Sequence, residues 1–492
     1  MSISPSVIAR VIGVNVEYAN FNLGQALYLP QRIAIVGQGS SAVSYGTDKQ
    51  LINSAKQVAQ LYGYGSPLHL VCRQLLPATG KGLEGIPVTA YPLVDDGSGV
   101  AATGSLGVTG GPVEIASSGY VYIGGIRSAP IVLQVDDTAA IVAGKIKVAI
   151  DSVLEMPVTT GAIVVSAFPV TAKWKGASGN EITVDYSELV NDNLTFVIPT
   201  KLTGGLVNPD VQDALDIVND VWETIILNCF NYYDTVSLQK YSDFGESRWD
   251  QLIKKPLLVA TGAVEGFSER TIVTNLVARR SDRTNFLIVS VGSRELPCTI
   301  AAQGLVSDIA QKANDKPAHN YIGVLQGLHA GADDLQEDFT TKDNSVKLGS
   351  STNIKVGNLA GLSDTVTFYH PDGEPIPAYR YVVDVVKLQN VVYNVDIIME
   401  TLKGRPLLPD GTPTADPDAI QPKGVKALLS KLADSLANGK SAIIVDSEYT
   451  KKNMVVEIDG TNPKRLNTTF PVILSGNVEV NSTDILFSFL GT

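Results

Sequence analysis

The residues best placed to do chemistry are Gly37-Gln38-Gly39-Ser40-Ser41-Ala42, directly after the short apolar run Arg32-Ile33-Ala34-Ile35-Val36. They fit G-x-G-x-x-A, a turn whose glycines let backbone approach a pyrophosphate at a helix N-terminus. Dinucleotide binding also needs an acidic residue at the end of the next strand, to hold the ribose. That position reads Gln74-Leu75-Leu76-Pro77, and Gly46 interrupts the segment before the expected helix. The turn therefore reads as a strand exit that needs glycine, and a nucleotide-binding α/β enzyme stands as the alternative function. Gly80-Lys81-Gly82 lacks the spacing and the Ser/Thr of a phosphate loop, and no G-x-S-x-G elbow occurs. His69, His319, His329 and His370 form no i, i+4 pair. Asp95-Asp96-Gly97-Ser98-Gly99 lacks the remainder of a calcium loop. The acidic run Ala332 to Asp338 reads as a solvated loop or helix start. No catalytic set, cofactor site or metal site is expected.

Bulk properties narrow the class. A chain of 492 residues is too long for one core, and suggests about three domains. With 44% hydrophobic residues and a mean hydropathy of +0.13, there is ample material for buried cores. The formal charge is -12, from 38 basic and 50 acidic residues. Such a surface is not built to hold a polyanion, so no nucleic-acid partner is expected. Cys72, Cys229 and Cys298 are far apart, each in an apolar run, and no C-x-x-C occurs. They read as buried thiols in a reducing compartment. No signal peptide is evident, and no apolar run reaches the ~18 residues a membrane span needs, so direct membrane insertion is not expected.

The hydrophobic pattern places elements around these residues. Gln31 to Leu76 reads as β-α-β, with strands at Arg32 to Gly37 and His69 to Leu75 and a helix from Asp48 to Tyr62. Continuous apolar strands separated by helices point to a parallel sheet covered on both faces. From about Gly80 to Gly205 the chain turns Gly-, Val-, Thr- and Ser-rich. Strand-like runs at Tyr120 to Gly125 and Ile131 to Val135, and one helix near Thr138 to Val153, suggest a β-rich insertion. The α/β pattern resumes at Asn208, a good N-cap, and Pro209. Val211, Leu215, Val218, Trp222 and Ile225 then fall on one helical face. A helix over Tyr241 to Trp249, a strand at Leu257 to Gly262, a helix over Ser268 to Arg279, a strand at Phe286 to Val291 and a helix over Pro297 to Ala313 follow. Beyond Pro317 comes an α+β region: a long helix from Ala378 to Leu402, a Pro/Asp loop over Leu407 to Pro422, a helix from Val425 to Leu436, and strands at Ala442 to Asp446 and Met454 to Ile458.

Both ends of the chain read as strands. Val14, Val16 and Tyr18 alternate with Asn15 and Glu17; Val478 and Val480 alternate with Asn477, Glu479 and Asn481; Ile485, Phe487 and Phe489 alternate with Leu486, Ser488 and Leu490. Period two means one buried face, and chain ends fray unless something pairs with them. A neighbouring copy can supply the pairing by strand addition. These eight apolar residues are therefore candidate inter-subunit arm residues. Lysines also collect late in this acidic chain, at Lys423, Lys426, Lys431, Lys440, Lys451, Lys452 and Lys464. They read either as a contact for an acidic partner or as a solvated helix face.

In this order of parts the chain resembles the tail sheath proteins of contractile-tailed bacteriophages, in the Mu-like branch. Leu29 to Gln38 resembles the family's opening strand and turn, and Leu61-Tyr62-Gly63-Tyr64-Gly65-Ser66-Pro67-Leu68 its FGxGSxLA segment. Trp174-Lys175-Gly176-Ala177-Ser178-Gly179-Asn180-Glu181-Ile182 resembles its KGExGNxI turn, and Ser247-Arg248-Trp249 its RW element. The resemblance implies an α/β and α+β multidomain chain: an N-terminal arm (1–27), a parallel-type α/β core in two parts (28–78 and 206–330), an inserted β-rich outer domain (79–205), an α+β inner domain (331–469) and C-terminal arm strands (470–492). It implies stacked hexameric rings around a tail tube, arms that add strands to neighbours, and contraction that drives the tube through a host envelope. Implied partners are further copies of the chain, the tube protein (facing Lys423, Lys426 and Lys431), and baseplate and terminator proteins. The location implied is a virion tail assembled in host cytoplasm. Ala19 to Gly24 and Leu474 to Gly476 would be hinges. The sheath of a phage-derived contractile bacteriocin or injection system is the nearer alternative.

Overall fold

The run Ile33–Gln38 is buried at every position because its two faces enter different cores. Ile33 and Ile35 pack with Leu68, Val71 and Leu75, whereas Ala34 and Val36 pack with Val211, Leu215 and Val218. A strand that must bury both faces cannot alternate polar with apolar residues, which is why it reads as a continuous apolar run. In the computed structural model, which describes residues 24–83, 85–374, 377–479 and 483, this strand is central to a six-stranded sheet. The order is Asn285–Val289, Leu258–Ala263, Ile225–Asn228, Ile33–Gln38, Val88–Leu93, Gln50–Ile52. The first five strands run parallel, and Gln50–Ile52 closes one edge antiparallel.

Several local expectations change. The segment His69 to Leu75 is not the second strand but part of a helix, Pro67–Leu75. Ser66 accepts from the His69 N–H and Pro67 sits in the first turn, so capping chemistry overrides the apolar run. The strand beside Ile33–Gln38 is instead Val88–Leu93, beyond the point where the insertion was expected to begin. The helix expected from Asp48 to Tyr62 starts later: Gln50–Ile52 is a strand, and Ser54 caps the helix Ala55–Tyr62. Past Asn208 the helix is short, Gln212–Val218, and Ile225 opens a strand. Asn208 caps nothing there; its Nδ2 donates to Asn231 and Asp234.

Two compact units emerge, with the chain passing between them at Leu27, at Asn394 and at Ser475. The larger holds the six-stranded sheet, a four-stranded antiparallel sheet (Leu194–Val197, Ala101–Gly110, Ala167–Lys175, Val158–Thr160) and a three-stranded sheet (Gly323–His329, Leu359–Leu362, Asn353–Val356). Helix Ala139–Asp151 packs on the four-stranded sheet through Val142, Ile146 and Ile150. The smaller unit contains helices Pro422–Asn438 and Ser447–Asn453 and a hairpin of Val455–Ile458 with Leu466–Thr469. The long helix Val382–Leu402 begins four residues later than its sequence pattern suggests. The expected strand Ala442 to Asp446 reduces to a single bridge, Ile444 to Leu474, with Ser475 N–H donating to the Ile443 carbonyl.

Candidate functional site

The Gly37–Ala42 turn has no amide left for a phosphate. The N–H of Gly39 donates to the Tyr45 hydroxyl at 2.8 Å, that of Ser40 to the Tyr62 carbonyl at 2.7 Å, and that of Ser41 to the Lys173 carbonyl at 2.7 Å. The Asp95 carboxylate accepts from Ser41 Oγ at 2.5 Å and from Gln38 Nε2 at 2.7 Å, placing negative charge where an anion would sit. No helix follows the turn directly; the next element is the edge strand Gln50–Ile52. The glycine pattern thus serves packing, and this geometry opposes the dinucleotide reading.

Two of the four histidines are held by structural contacts. His69 accepts the Gly65 N–H at Nδ1, and burial lowers its pKa to about 4. His370 faces the Phe368 carbonyl and the Asn275 side chain. Cys72, Cys229 and Cys298 are buried free thiols; burial pushes the Cys72 and Cys229 thiols up. Among the described residues no group of three or more His, Cys, Asp or Glu could hold a metal ion, and no helix is long and apolar enough to cross a membrane.

The segments that carried the family resemblance prove to be joints. Gly63 and Gly65 both have positive φ at the turn between two helices, and a Cβ on Gly65 would lie 2.1 Å from the Met156 carbonyl oxygen. Asn180 grips the backbone of Gly205 twice, Nδ2 to the carbonyl at 3.0 Å and Oδ1 from the N–H at 2.8 Å. Beside it Lys201 joins Glu181 (2.9 Å) to Glu265 (2.8 Å), and the Tyr233 hydroxyl donates to Glu181. Burial, followed by the Glu265 charge, raises the Glu181 pKa. Arg248 is buried, and its guanidinium donates to the carbonyls of Asn219, Val221 and Lys255. It ties the loop after the short helix Gln212–Val218 to the segment that precedes strand Leu258–Ala263. Such joints need fixed residue types at fixed spacing, as a catalytic motif does, but without any substrate.

What remains open is a surface for strand pairing. The Asp459 carboxylate accepts from the N–H groups of Thr461 and Asn462, forming the turn that brings Val455–Ile458 against Leu466–Thr469, from Val455 opposite Thr469 to Ile458 opposite Leu466. Neither strand pairs with a third among the described residues. Val455 and Glu457 are exposed. A two-stranded ribbon is marginal alone; here it packs against helix Pro422–Asn438, whose Val425, Leu429, Leu432 and Leu436 are buried. The backbone at Ala26 and Leu27 is held in the same unit. Ala26 N–H donates to Ser435 Oγ, and Asn394 takes both the N–H and the carbonyl of Leu27, each at 2.7 Å.

The sequence-derived site residues divide unevenly. Lys423, Lys426 and Lys431 share helix Pro422–Asn438. Lys423 and Lys431 are exposed, but Lys426 is half-buried with its ammonium on the Met454 carbonyl at 2.7 Å. Lys451 is tied to Asp434 and Glu448. Val478 belongs to the larger unit, is 84% exposed and lies in no strand. Val14, Val16, Tyr18, Val480, Ile485, Phe487 and Phe489 lie outside the described residues. Sequence reading gave no role to the side chains of Asn394, which holds Leu27, or of Lys387 and Asn477, which bond to each other; a polar residue in an apolar run was the available signal for Asn394.

Comparison with known proteins follows the same line. No family model matches the chain. Over 481 residues, 95% of this chain and 96% of its relative, it is 24% identical to the Mu-like prophage FluMu tail sheath protein of Haemophilus influenzae. The resemblance to contractile tail sheath proteins therefore holds along nearly the whole chain, and within that class it is to the Mu-like branch. Matches among solved structures include a sheath tail protein of Listeria innocua (13% identity, TM-score 0.46, 92% of this chain and 93% of that one). Another is a sheath tail protein of Desulfitobacterium hafniense (11%, 0.46, 94% and 100%). A third is the helical sheath of the anti-feeding prophage in its contracted state (9%, 0.47, 98% and 100%).

Proposed function

We propose that this chain is the structural subunit of a contractile phage tail sheath. The observation that carries the reading is the end-to-end similarity to a Mu-like tail sheath protein. Subunits stack as hexameric rings around a tail tube and shorten together to drive the tube through a host envelope. Their neighbours are linked by terminal arms that add strands to the open edges of the Val455–Ile458 and Leu466–Thr469 hairpin. Residues 28–78 and 206–330, joined by the strand Val88–Leu93, form the core, the rest of 79–205 faces outward, and 331–469 face the tube. Lys423 and Lys431 supply positive charge toward an acidic tube surface. Baseplate and terminator proteins bound the polymer, which assembles in host cytoplasm and works in the virion tail. A phage-derived contractile device would use the same subunit chemistry.

Negative-stain electron microscopy of the purified full chain is the deciding test. Long, wide tubes with a helical surface are expected. Discrete monomers, both alone and with tube protein added, would overturn the reading. Strand addition is tested separately by F487D/F489D, which should leave the monomer folded and abolish tubes; normal tubes from that variant would remove the arms from the mechanism.

A further inference from the structure

The chain re-enters the larger unit at Gly476, and Asn477, Val478 and Glu479 are held there in a defined orientation. Asn477 is gripped on both sides of its amide. Its Oδ1 accepts from Lys387 Nζ at 2.7 Å, and its Nδ2 donates to the Ala318 carbonyl at 2.9 Å. Lys387 is wholly buried on helix Val382–Leu402 and is itself oriented by Asp384 at 2.8 Å. A charge-assisted bond to a buried ammonium is among the stronger contacts a neutral side chain can make. Two residues on, Glu479 accepts from Asn320 Nδ2 through both carboxylate oxygens, at 3.0 and 3.1 Å, on the exposed surface. Between these two holds Val478 is 84% exposed. Asn477 and Glu479 therefore face the chain's own body, and Val478 between them faces away. This reverses the usual arrangement, in which a strand buries its apolar residues on its own subunit.

We propose that Asn477 is a positioning residue for the C-terminal arm. Its amide, clamped between the Lys387 ammonium and the Ala318 carbonyl, sets which face of the arm leaves outward and offers the Val478 phase to a second copy of the chain. The proposal rests on the strand-addition reading. Because side-chain period is two, a one-residue slip at the root would turn every arm side chain to the wrong face. Glu479 contributes less, because its partner bond is exposed to water.

The test compares full-length N477A, N477D and F487D/F489D with the parent chain. Melting temperature is the control, and the threshold concentration for tubes, read where each variant is fully folded, reports assembly. N477A is expected to lower the melting temperature, because a buried ammonium loses an acceptor, and to raise the tube threshold about tenfold, the factor that about 1.4 kcal/mol represents. N477D keeps an acceptor for Lys387 and should recover most of both effects. A purely structural role would lower the melting temperature and leave the threshold of the folded variant at the parent value. A parent-like threshold in N477A would overturn the proposal while leaving strand addition intact. Normal tubes from F487D/F489D would overturn strand addition, and this proposal with it.

Discussion

The six-stranded sheet and the two-stranded hairpin handle the same problem in opposite ways. Every sheet has edges with unpaired N–H and C=O groups that invite another strand. In the larger unit both edges are managed: Gln50–Ile52 caps one side with only three residues, and at the other Asn285 accepts from the Phe368 N–H while Phe286 bridges Thr367. Its five parallel strands are buried throughout. The hairpin of Val455–Ile458 and Leu466–Thr469 leaves both edges without a strand partner among the described residues, and its side chains are half-buried or exposed. One sheet is closed within the chain; the other keeps two open edges among the described residues.

Damage to the closed sheet should act on folding. F286A removes a fully buried ring and is expected to cost about 3–5 kcal/mol, seen as a lower denaturation midpoint, with tubes lost only because the subunit unfolds. A folding midpoint unchanged by F286A would mean the sheet is not the stabilising core. A pH-dependent effect comes next. Burial lifts the Glu295 carboxyl to about 7 against an ordinary value near 4.5. Its folded pKa lies above its unfolded one, so the folded state is favoured below about pH 4.5 and loses that advantage as pH rises through 7. E295Q should therefore match the parent near pH 4 and melt higher at pH 8; equal melting at both would show that the carboxyl is not held neutral.

The open hairpin should respond in the opposite sense. V455D places a charge on an exposed strand position and is expected to shift folding by no more than about 0.5 kcal/mol, yet to suppress tube formation in a sedimentation assay. Parent-like sedimentation would place the strand-accepting edge elsewhere. The smallest effect expected is that of K423E/K431E, which should leave tubes of the chain alone unchanged and weaken attachment to tube protein, more at low salt than at high. A salt-independent binding curve for that pair would leave the two lysines as ordinary solvated groups.

Much of the closed sheet is legible in the chain, because a strand buried on both faces must be apolar at consecutive positions: Ile33 to Val36, Leu258 to Ala260 and Phe286 to Val289 announce themselves. Val88–Leu93 does not, since Pro92 argues against a parallel strand. The fold admits it because Gln50–Ile52 pairs only with Val88 to Ala90, so Pro92 lies past the end of that ladder. The helix Pro67–Leu75 was also encoded, in the Ser66-Pro67 start signal, but the apolar run after it masked that signal.

The sequence by itself determined where apolar and polar residues alternate, which glycines must turn the backbone, and that no motif for catalysis is complete. These are local properties, carried by residue type and spacing. Only the tertiary structure decided that the amides of the Gly37–Ala42 turn are spent on Tyr45, Tyr62 and Lys173, and that Asn477 meets a buried lysine 90 positions earlier in the chain. Those partners come from distant segments, and no spacing along one chain reveals which distant groups folding will bring within hydrogen-bond reach.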